Sequence, residues 1–204
     1  MPKARTDGVR MLCLGDSYTV GEGVARSDSW PNQLQRLLAA RGVAIAPPQI
    51  IAQTGWSSEE LITALDLAQP AADFAAVSLL IGVNDQYRNY PRARFEQAFT
   101  QLLSRAISHA RGAPHRVIVL SIPDWGVTPF ANADPRAALA IGAEIDAFNA
   151  LIQQHAERAG CAFVDVTELS RSDRSDWLVA DQLHPSAAQY LQWAHAALAV
   201  FHSV

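Results

Sequence analysis

Five short, nearly uninterrupted apolar runs alternate along this chain with longer segments of helical periodicity. The runs cover residues 9–14, 46–52, 75–81, 116–121 and 162–166. Strands that are apolar on both sides are typical of parallel sheets, because helices cover both faces of such sheets. The alternation therefore predicts an α/β fold of three layers, in which a doubly wound parallel sheet of about five strands lies between helices.

The segments between the runs carry the periodicity of amphipathic helices. They predict helices over residues 30–41, 58–68, 92–111, 136–159 and 186–201. In the third of these, Phe95, Phe99 and Leu102 recur at steps of three and four residues, so one apolar stripe faces the sheet. Gly160 stands where the fourth helix is expected to end.

Length and composition narrow the class of protein. A chain of 204 residues has room for one α/β domain with a sizeable core, so we expect a single domain over residues 1–204. The net charge is −4 without a basic block, which argues against a nucleic-acid partner. No apolar run reaches the length of a membrane span, and we expect no integral membrane contact.

The sequence shows neither the pattern of a signal peptide nor the spacing of metal ligands. Residues 1–10 are polar and basic with no apolar segment behind them, so we expect a cytoplasmic protein without a signal peptide, although export of a processed form stays open. Cys13 and Cys161 belong to no metal-ligand spacing and are interpreted as buried thiols. We therefore expect no metal site.

Ligands of doubly wound sheets bind outside the carboxyl ends of the strands. That rule selects residues 15–29, 53–57, 82–91, 122–135 and 167–184. Ser17 follows the first strand directly, where it is well placed as a nucleophile. Asp181 and His184 are three residues apart, so the carboxylate can hold one ring nitrogen while the other faces the nucleophile. A helix-capping turn with a surface histidine is the alternative.

Two further loops carry groups that could stabilise an oxyanion. Asn84 follows the third strand, where its amide could donate to negative charge, and Gly55 follows the second strand, where it could offer a backbone N–H. Ordinary turns would use the same residues. Asp16 and Asp85 are interpreted as hydrogen-bonding supports of their loops.

The order of these residues resembles the SGNH or GDSL hydrolase superfamily. The resemblance runs from Gly15-Asp16-Ser17 through Gly55 and Gly82-Val83-Asn84-Asp85 to Asp181-Gln182-Leu183-His184. It implies a flavodoxin-like sheet and a serine esterase, lipase or acylhydrolase mechanism without a cofactor. It also implies roles by position. The nucleophile is Ser17, the base is His184, Asp181 orients that base, and the oxyanion donors are Ser17, Gly55 and Asn84.

Evidence on the substrate is confined to two loops, which carry aromatic residues beside prolines and beside Arg88 as a possible polar rim. Tyr87, Trp125 and Phe130 could form an apolar wall for a short or medium acyl group, or could pack the loops onto the sheet. The expected partner is a small-molecule or lipid-like ester. Acetylated sugars, lysophospholipids, thioesters and aryl esters all remain open.

Three other functions fit the same fold class. A flavodoxin-like FMN-binding module would place phosphate at the first loop, near Ser17, Thr19 and Gly21. The spacing of these residues matches a phosphate-binding loop poorly, and an FMN site would give Asn84 and His184 no role. A metal-dependent hydrolase would need a cluster of ligands, and a binding module without activity would need no nucleophile.

Overall fold

The core of the molecule is a five-stranded parallel sheet with the strand order β2-β1-β3-β4-β5. A computed structural model describes residues 8–172 and 176–201. The strands β1 to β5 are Met11–Gly15, Gln49–Ala52, Ala76–Leu80, Val117–Leu120 and Ala162–Val164. The sheet of five parallel strands is the one that the apolar runs predict.

Helices form a layer on each side of this sheet. The helices α1 to α8 are Ser17–Val20, Trp30–Ala40, Ser58–Ala68, Val83–Tyr87, Arg92–His109, Ala138–Ala159, Thr167–Arg171 and Ala187–Val200. Helix α2 packs against α8, whereas α5 packs against both α3 and α6. The three-layer, flavodoxin-like α/β fold expected from the sequence is therefore confirmed.

The sheet has a topological switch point between β1 and β3. Strand β1 pairs with β2 on one side and with β3 on the other. The chain leaves β1 toward β2 and then crosses back to β3, which opens a crevice at the carboxyl ends of these strands. Leu12, Leu14, Val77 and Leu79 are fully buried in the strands beneath it. The loops that follow β1, β2 and β3 thus meet over a rigid core.

Element boundaries differ from expectation in a few places. Strand β2 begins at Gln49 and not at residue 46, because Pro47 and Pro48 have no N–H to donate to a sheet. Strand β5 ends at Val164, two residues early, and the chain turns into α7. The short helices α1, α4 and α7 lie in segments expected to be loops, since helices of four or five residues show no periodicity.

The cysteines and the helices bear on two expectations that were drawn from composition. Cys13 and Cys161 are both free and buried, as interpreted. Among the helices of residues 8–172 and 176–201, none has the length and apolar character needed to cross a membrane.

Candidate active site

Ser17, His184 and Asp181 form a hydrogen-bonded chain at the carboxyl edge of the sheet. Nε2 of His184 lies 3.0 Å from Oγ of Ser17, and Nδ1 of His184 lies 2.7 Å from Oδ2 of Asp181. Ser17 and His184 are 5% and 8% exposed, so both side chains are largely shielded from water. The arrangement suits a serine hydroxyl whose proton passes to an imidazole.

The backbone of the last loop holds the Asp181–His184 pair in place. Oδ1 of Asp181 accepts the N–H groups of Leu183 and His184, each at 2.9 Å. Gln182 takes a left-handed conformation with φ +59°, which lets the chain turn around this carboxylate. Burial raises the pKa of Asp181, but hydrogen bonds from the His184 side chain and from these two backbone N–H groups outweigh it. The pKa of Asp181 therefore lies below its ordinary value, and the group stays ionised beside the imidazole.

Ser17 is presented by a tight connection between β1 and α1. A Cβ at Gly15 would lie 2.4 Å from the carbonyl oxygen of Leu80, so only glycine fits there. The side chain of Asp16 accepts the N–H of Tyr18 at 3.1 Å and caps α1. Asp16 thus supports its loop, as interpreted from the sequence.

Asp16 is itself fully buried, with an exposure of 0%. Within the part of the chain that the structure describes, its Oδ2 has no hydrogen-bond partner. Burial raises the pKa of Asp16 to about 8, a shift opposed by the Tyr18 N–H and increased by the charge of Asp85. The carboxyl next to the serine therefore keeps its proton to a higher pH than an exposed aspartic acid does.

The three candidate oxyanion donors lie at the ends of β1, β2 and β3. Ser17 opens α1, Gly55 lies in the segment before α3, and Asn84 is the second residue of α4. No acceptor among residues 8–172 and 176–201 bonds the N–H of Ser17 or of Gly55. Nδ2 of Asn84 donates one hydrogen to the carbonyl oxygen of Trp56 at 2.9 Å, which leaves its second hydrogen available. All three residues line one cavity together with His184.

That cavity has a volume of about 170 Å³ and an aromatic wall. Tyr87 meets Trp125 edge-on at 5.3 Å between ring centroids, and Trp125 meets Phe130 edge-on at 6.2 Å. Asp, Glu, Lys and Arg are absent from the described residues that line the cavity. The space beside Ser17 therefore accommodates a small, uncharged, largely apolar group.

Polar contacts hold Trp125, the middle ring of the aromatic wall, in position. Nε1 of Trp125 donates to Oε1 of Gln86 at 2.7 Å, so the polar edge of the indole is satisfied. Gln86 in turn donates to Glu144 at 2.6 Å, and the Arg136 guanidinium lies 5.3 Å from the Trp125 ring centroid. These bonds fix the ring of Trp125 against α4.

The side chain of Asp85 supports the neighbouring loop after β2, whereas the interpretation from the sequence is that it supports its own loop. Its carboxylate accepts the N–H of Ser58 at 2.9 Å and the Oγ hydroxyl of Ser58 at 2.6 Å. Because Ser58 opens α3 and Asp85 belongs to α4, these bonds join the segments that carry Gly55 and Asn84.

The structure thus brings together the candidate residues named from the sequence. Ser17, Gly55, Asn84 and His184 share the cavity with Tyr87, Trp125 and Phe130, and Asp181 lies behind His184. Sequence analysis did not identify Gln86, which follows Asn84 by two residues, and considered Arg88 only as part of a possible substrate wall. The position of both residues on the same short segment as Asn84 is the signal that could have found their structural roles.

A second, larger cavity and the possible metal ligands were compared with this site. A larger cavity of about 680 Å³ adjoins Gln182, yet neither Ser17 nor His184 lines it. A group of three or more His, Cys, Asp or Glu side chains that could hold a metal ion is not found in the described ranges 8–172 and 176–201.

Comparison with known proteins gives one family and many similar folds. The model of the GDSL-like lipase/acylhydrolase family matches residues 13–191. No curated protein sequence matches this chain significantly.

Several solved structures share the fold over nearly the whole chain. The crystal structure of TesA has a TM-score of 0.71 at 22% identity, covering 94% of this chain and 97% of that one. The acetylxylan esterase Axe2 from Geobacillus stearothermophilus has a TM-score of 0.70 at 21% identity, covering 95% and 94%. The psychrotrophic esterase EstA from Pseudoalteromonas sp. has a TM-score of 0.64 at 19% identity, covering 92% and 93%. At these identities the likeness establishes the fold.

Proposed function

Since this chain belongs to the GDSL-like lipase/acylhydrolase family and is a carboxylic ester hydrolase, we propose that Ser17 is the nucleophile of its reaction. The observation that carries the proposal is the hydrogen-bonded chain from Ser17 through His184 to Asp181, with distances of 3.0 and 2.7 Å. Such a chain activates a hydroxyl that is a weak nucleophile on its own.

Acylation begins when Oγ of Ser17 attacks the carbonyl carbon of the ester. Nε2 of His184 takes the hydroxyl proton as the new C–O bond forms. Asp181 stays ionised, holds Nδ1–H of the ring and stabilises the imidazolium. Nε2 then returns the proton to the leaving alcohol as its C–O bond breaks, and an acyl group remains on Ser17.

Deacylation repeats the same proton transfers with water. His184 removes a proton from water, the hydroxide oxygen attacks the acyl carbon, and the proton passes to Oγ of Ser17 as the acid leaves. A thioester would follow the same sequence with a thiol as the leaving group.

The tetrahedral intermediates place negative charge on the former carbonyl oxygen. We assign its stabilisation to the N–H groups of Ser17 and Gly55 and to the free hydrogen of the Asn84 amide. The support is that the two N–H groups make no bond to the described parts of the chain and that all three residues line the cavity. Removing one donor of this kind typically costs about 2.7–4 kcal/mol of barrier.

The cavity suggests the size and polarity of the acyl group. A cavity of roughly 150 Å³ lined by apolar residues holds benzene, and the space beside Ser17 is about 170 Å³. An acyl group comparable in size to one ring therefore fits between Tyr87, Trp125 and Phe130. The proposed substrates are esters or thioesters of short, uncharged acids.

The flavodoxin-like FMN module considered from the sequence has no supporting contact in the described structure. In such a module the Asp181–His184–Ser17 chain and the amide of Asn84 would have no role. Flavin absorbance in the purified protein would favour this alternative.

Covalent labelling tests the proposed nucleophile. A fluorophosphonate should attach to one residue, and mass spectrometry should locate the adduct on Ser17. Labelling should vanish in Ser17→Ala and persist in Ser27→Ala, which removes an exposed hydroxyl ten residues further along. Labelling elsewhere, or hydrolysis of p-nitrophenyl acetate by Ser17→Ala at the wild-type rate, would exclude Ser17 as the nucleophile.

A further inference from the structure

Arg88 connects the two segments that carry the proposed oxyanion donors Gly55 and Asn84. It follows the last residue of α4, the helix that contains Asn84, and its Nη2 donates to the carbonyl oxygen of Gly55 at 2.6 Å. We propose that Arg88 is a positioning residue. It anchors the peptide group that follows Gly55 and, through the turn that the Trp56 N–H closes onto Gln53, holds the N–H of Gly55 relative to the amide of Asn84. This inference rests on the proposed function, because it concerns the oxyanion site of that reaction.

Gly55 lies in a turn and takes a left-handed conformation that glycine adopts without steric cost. Its φ is +86°, and a Cβ at this position would meet nothing within 4 Å. The Trp56 N–H closes a turn onto the carbonyl oxygen of Gln53 at 3.2 Å, and the bond from Arg88 adds a second restraint to the peptide group between Gly55 and Trp56. The bond from Arg88 is the side-chain contact that the described structure gives to the Gly55 backbone.

Neighbouring bonds hold the residues on either side of Gly55. The amide of Asn84 holds the carbonyl oxygen of Trp56, and Asp85 holds Ser58. Thr54 donates to Glu22 through its hydroxyl. Asn84, Asp85 and Arg88 all belong to α4 or its end, so α4 acts as the template for the segment after β2.

The second arm of the Arg88 guanidinium contacts the N-terminal cap of α3. Its Nη1 donates to Oε2 of Glu60 at 3.0 Å, and the same oxygen accepts the N–H of Ser57 at 2.7 Å. The backbone N–H of Ser57 and the Arg88 side chain both contribute to a pKa of Glu60 below its ordinary value. A rigid planar fork can span the carbonyl of Gly55 and the carboxylate of Glu60, whereas a lysine ammonium is a single point charge.

Arg94 provides a matched control on the same surface. It pairs with Glu59, the residue beside Glu60, through bonds of 2.8 and 2.6 Å. Its side chain is 44% exposed, compared with 35% for Arg88. Neither Arg88 nor Arg94 is among the described residues that line the cavity, so neither is placed to touch substrate. Within the described structure, Arg88 bonds to Gly55 and Arg94 does not.

The test compares steady-state kinetics of wild type, Arg88→Met, Arg88→Lys, Glu60→Gln and Arg94→Met with p-nitrophenyl acetate. Arg88→Met should lower kcat on the order of tenfold and leave KM within about twofold, because a misplaced donor weakens transition-state binding more than substrate binding. Arg88→Lys should retain part of the lost rate. Arg94→Met and Glu60→Gln should stay within about twofold of wild type.

The pH profile distinguishes a misplaced oxyanion donor from a displaced base. Since Arg88 does not contact His184 or Asp181 in the described structure, the acid limb of kcat/KM should keep its position in Arg88→Met. Arg88→Met and Asn84→Ala should also be non-additive in kcat, because both act on one oxyanion.

Several outcomes would overturn the proposal. An unchanged kcat in Arg88→Met would do so, and so would an equal loss of kcat in Arg94→Met. A Glu60→Gln variant with the same loss of kcat would mean that Arg88 acts through the cap of α3. If Arg88→Met does not fold, Arg88→Lys with a wild-type kcat and KM overturns it as well. Failure of the proposed function is distinguishable, because wild type would then lack hydrolysis that depends on Ser17.

Discussion

Nε2 of His184 lies 3.0 Å from Oγ of Ser17, although the two residues are 167 positions apart in the sequence. Each is held by its own loop. Ser17 depends on the turn after β1, whereas His184 depends on the carboxylate of Asp181, which accepts its backbone N–H at 2.9 Å. Replacing one residue should therefore leave the other in position.

Substitution of Ser17 and His184 should accordingly abolish activity without unfolding the protein. Ser17→Ala and His184→Ala should each lower kcat by several orders of magnitude, and the double variant should be little worse than either, because the two groups act as a unit. Measured kcat values and melting temperatures check this. Multiplicative losses in the double variant would show that the two side chains act independently.

The sequence is informative about this site where function depends on local spacing. Asp181 and His184 are only three residues apart, and Ser17 and Asn84 directly follow strands that apolar runs reveal. Contacts between side chains of different loops cannot be predicted in this way. Arg88 reaches Gly55 over 33 positions and Trp125 reaches Gln86 over 39, and both contacts depend on loop paths and rotamers that periodicity does not encode.

The buried carboxyl of Asp16 should make stability depend on pH. Its pKa rises from 3.8 to about 8 in the folded protein. Between these values the folded state keeps a proton that the unfolded chain has released, so the free energy of unfolding falls as pH rises through this window. Asp16→Asn keeps an oxygen that can accept the Tyr18 N–H and cannot ionise.

The melting temperature of Asp16→Asn relative to wild type should therefore increase from about pH 5 to about pH 8. Asp28→Asn, at a side chain that is 42% exposed, controls for the change in net charge. A difference between Asp16→Asn and wild type that is constant with pH would mean that Asp16 is ionised in the folded protein.

Replacement of Asn84 should affect the rate more than substrate binding. The free hydrogen of its amide is proposed to bond the oxyanion, a bond that strengthens as charge develops. Asn84→Ala should lower kcat by about 10²–10³ with little change in KM. Asn84→Asp should be at least as damaging, since it puts a negative charge beside the oxyanion. A rise in KM alone would make Asn84 a binding residue.

Gly55 and Gly42 form a matched pair for testing the second donor. Their φ angles are +86° and +84°, and a Cβ at either position would meet nothing within 4 Å. Alanine at each should cost about 1–2 kcal/mol of stability through the left-handed conformation. Only Gly55→Ala should also lower kcat, because relief of the strain moves its N–H. Equal kcat values in the two variants would remove Gly55 from the oxyanion site.

The aromatic wall should set the upper limit on acyl length. Tyr87 and Phe130 are 46% and 38% exposed, so truncating either ring opens the cavity of about 170 Å³ without emptying the core. Wild type should prefer p-nitrophenyl acetate to the octanoate. Tyr87→Ala and Phe130→Ala should raise the octanoate-to-acetate ratio of kcat/KM about tenfold, given that one methylene in a pocket is worth roughly 10–200-fold in discrimination.

Leu139→Ala is the control for this last prediction, because Leu139 is 89% exposed and lies outside the described lining of the cavity. Its octanoate-to-acetate ratio should match that of wild type. Acetate esters of short and long alcohols separate the two sides of the substrate. If Tyr87→Ala and Phe130→Ala alter the preference among alcohols and leave the preference among acids unchanged, the wall contacts the leaving group, and the acyl group occupies another part of the site.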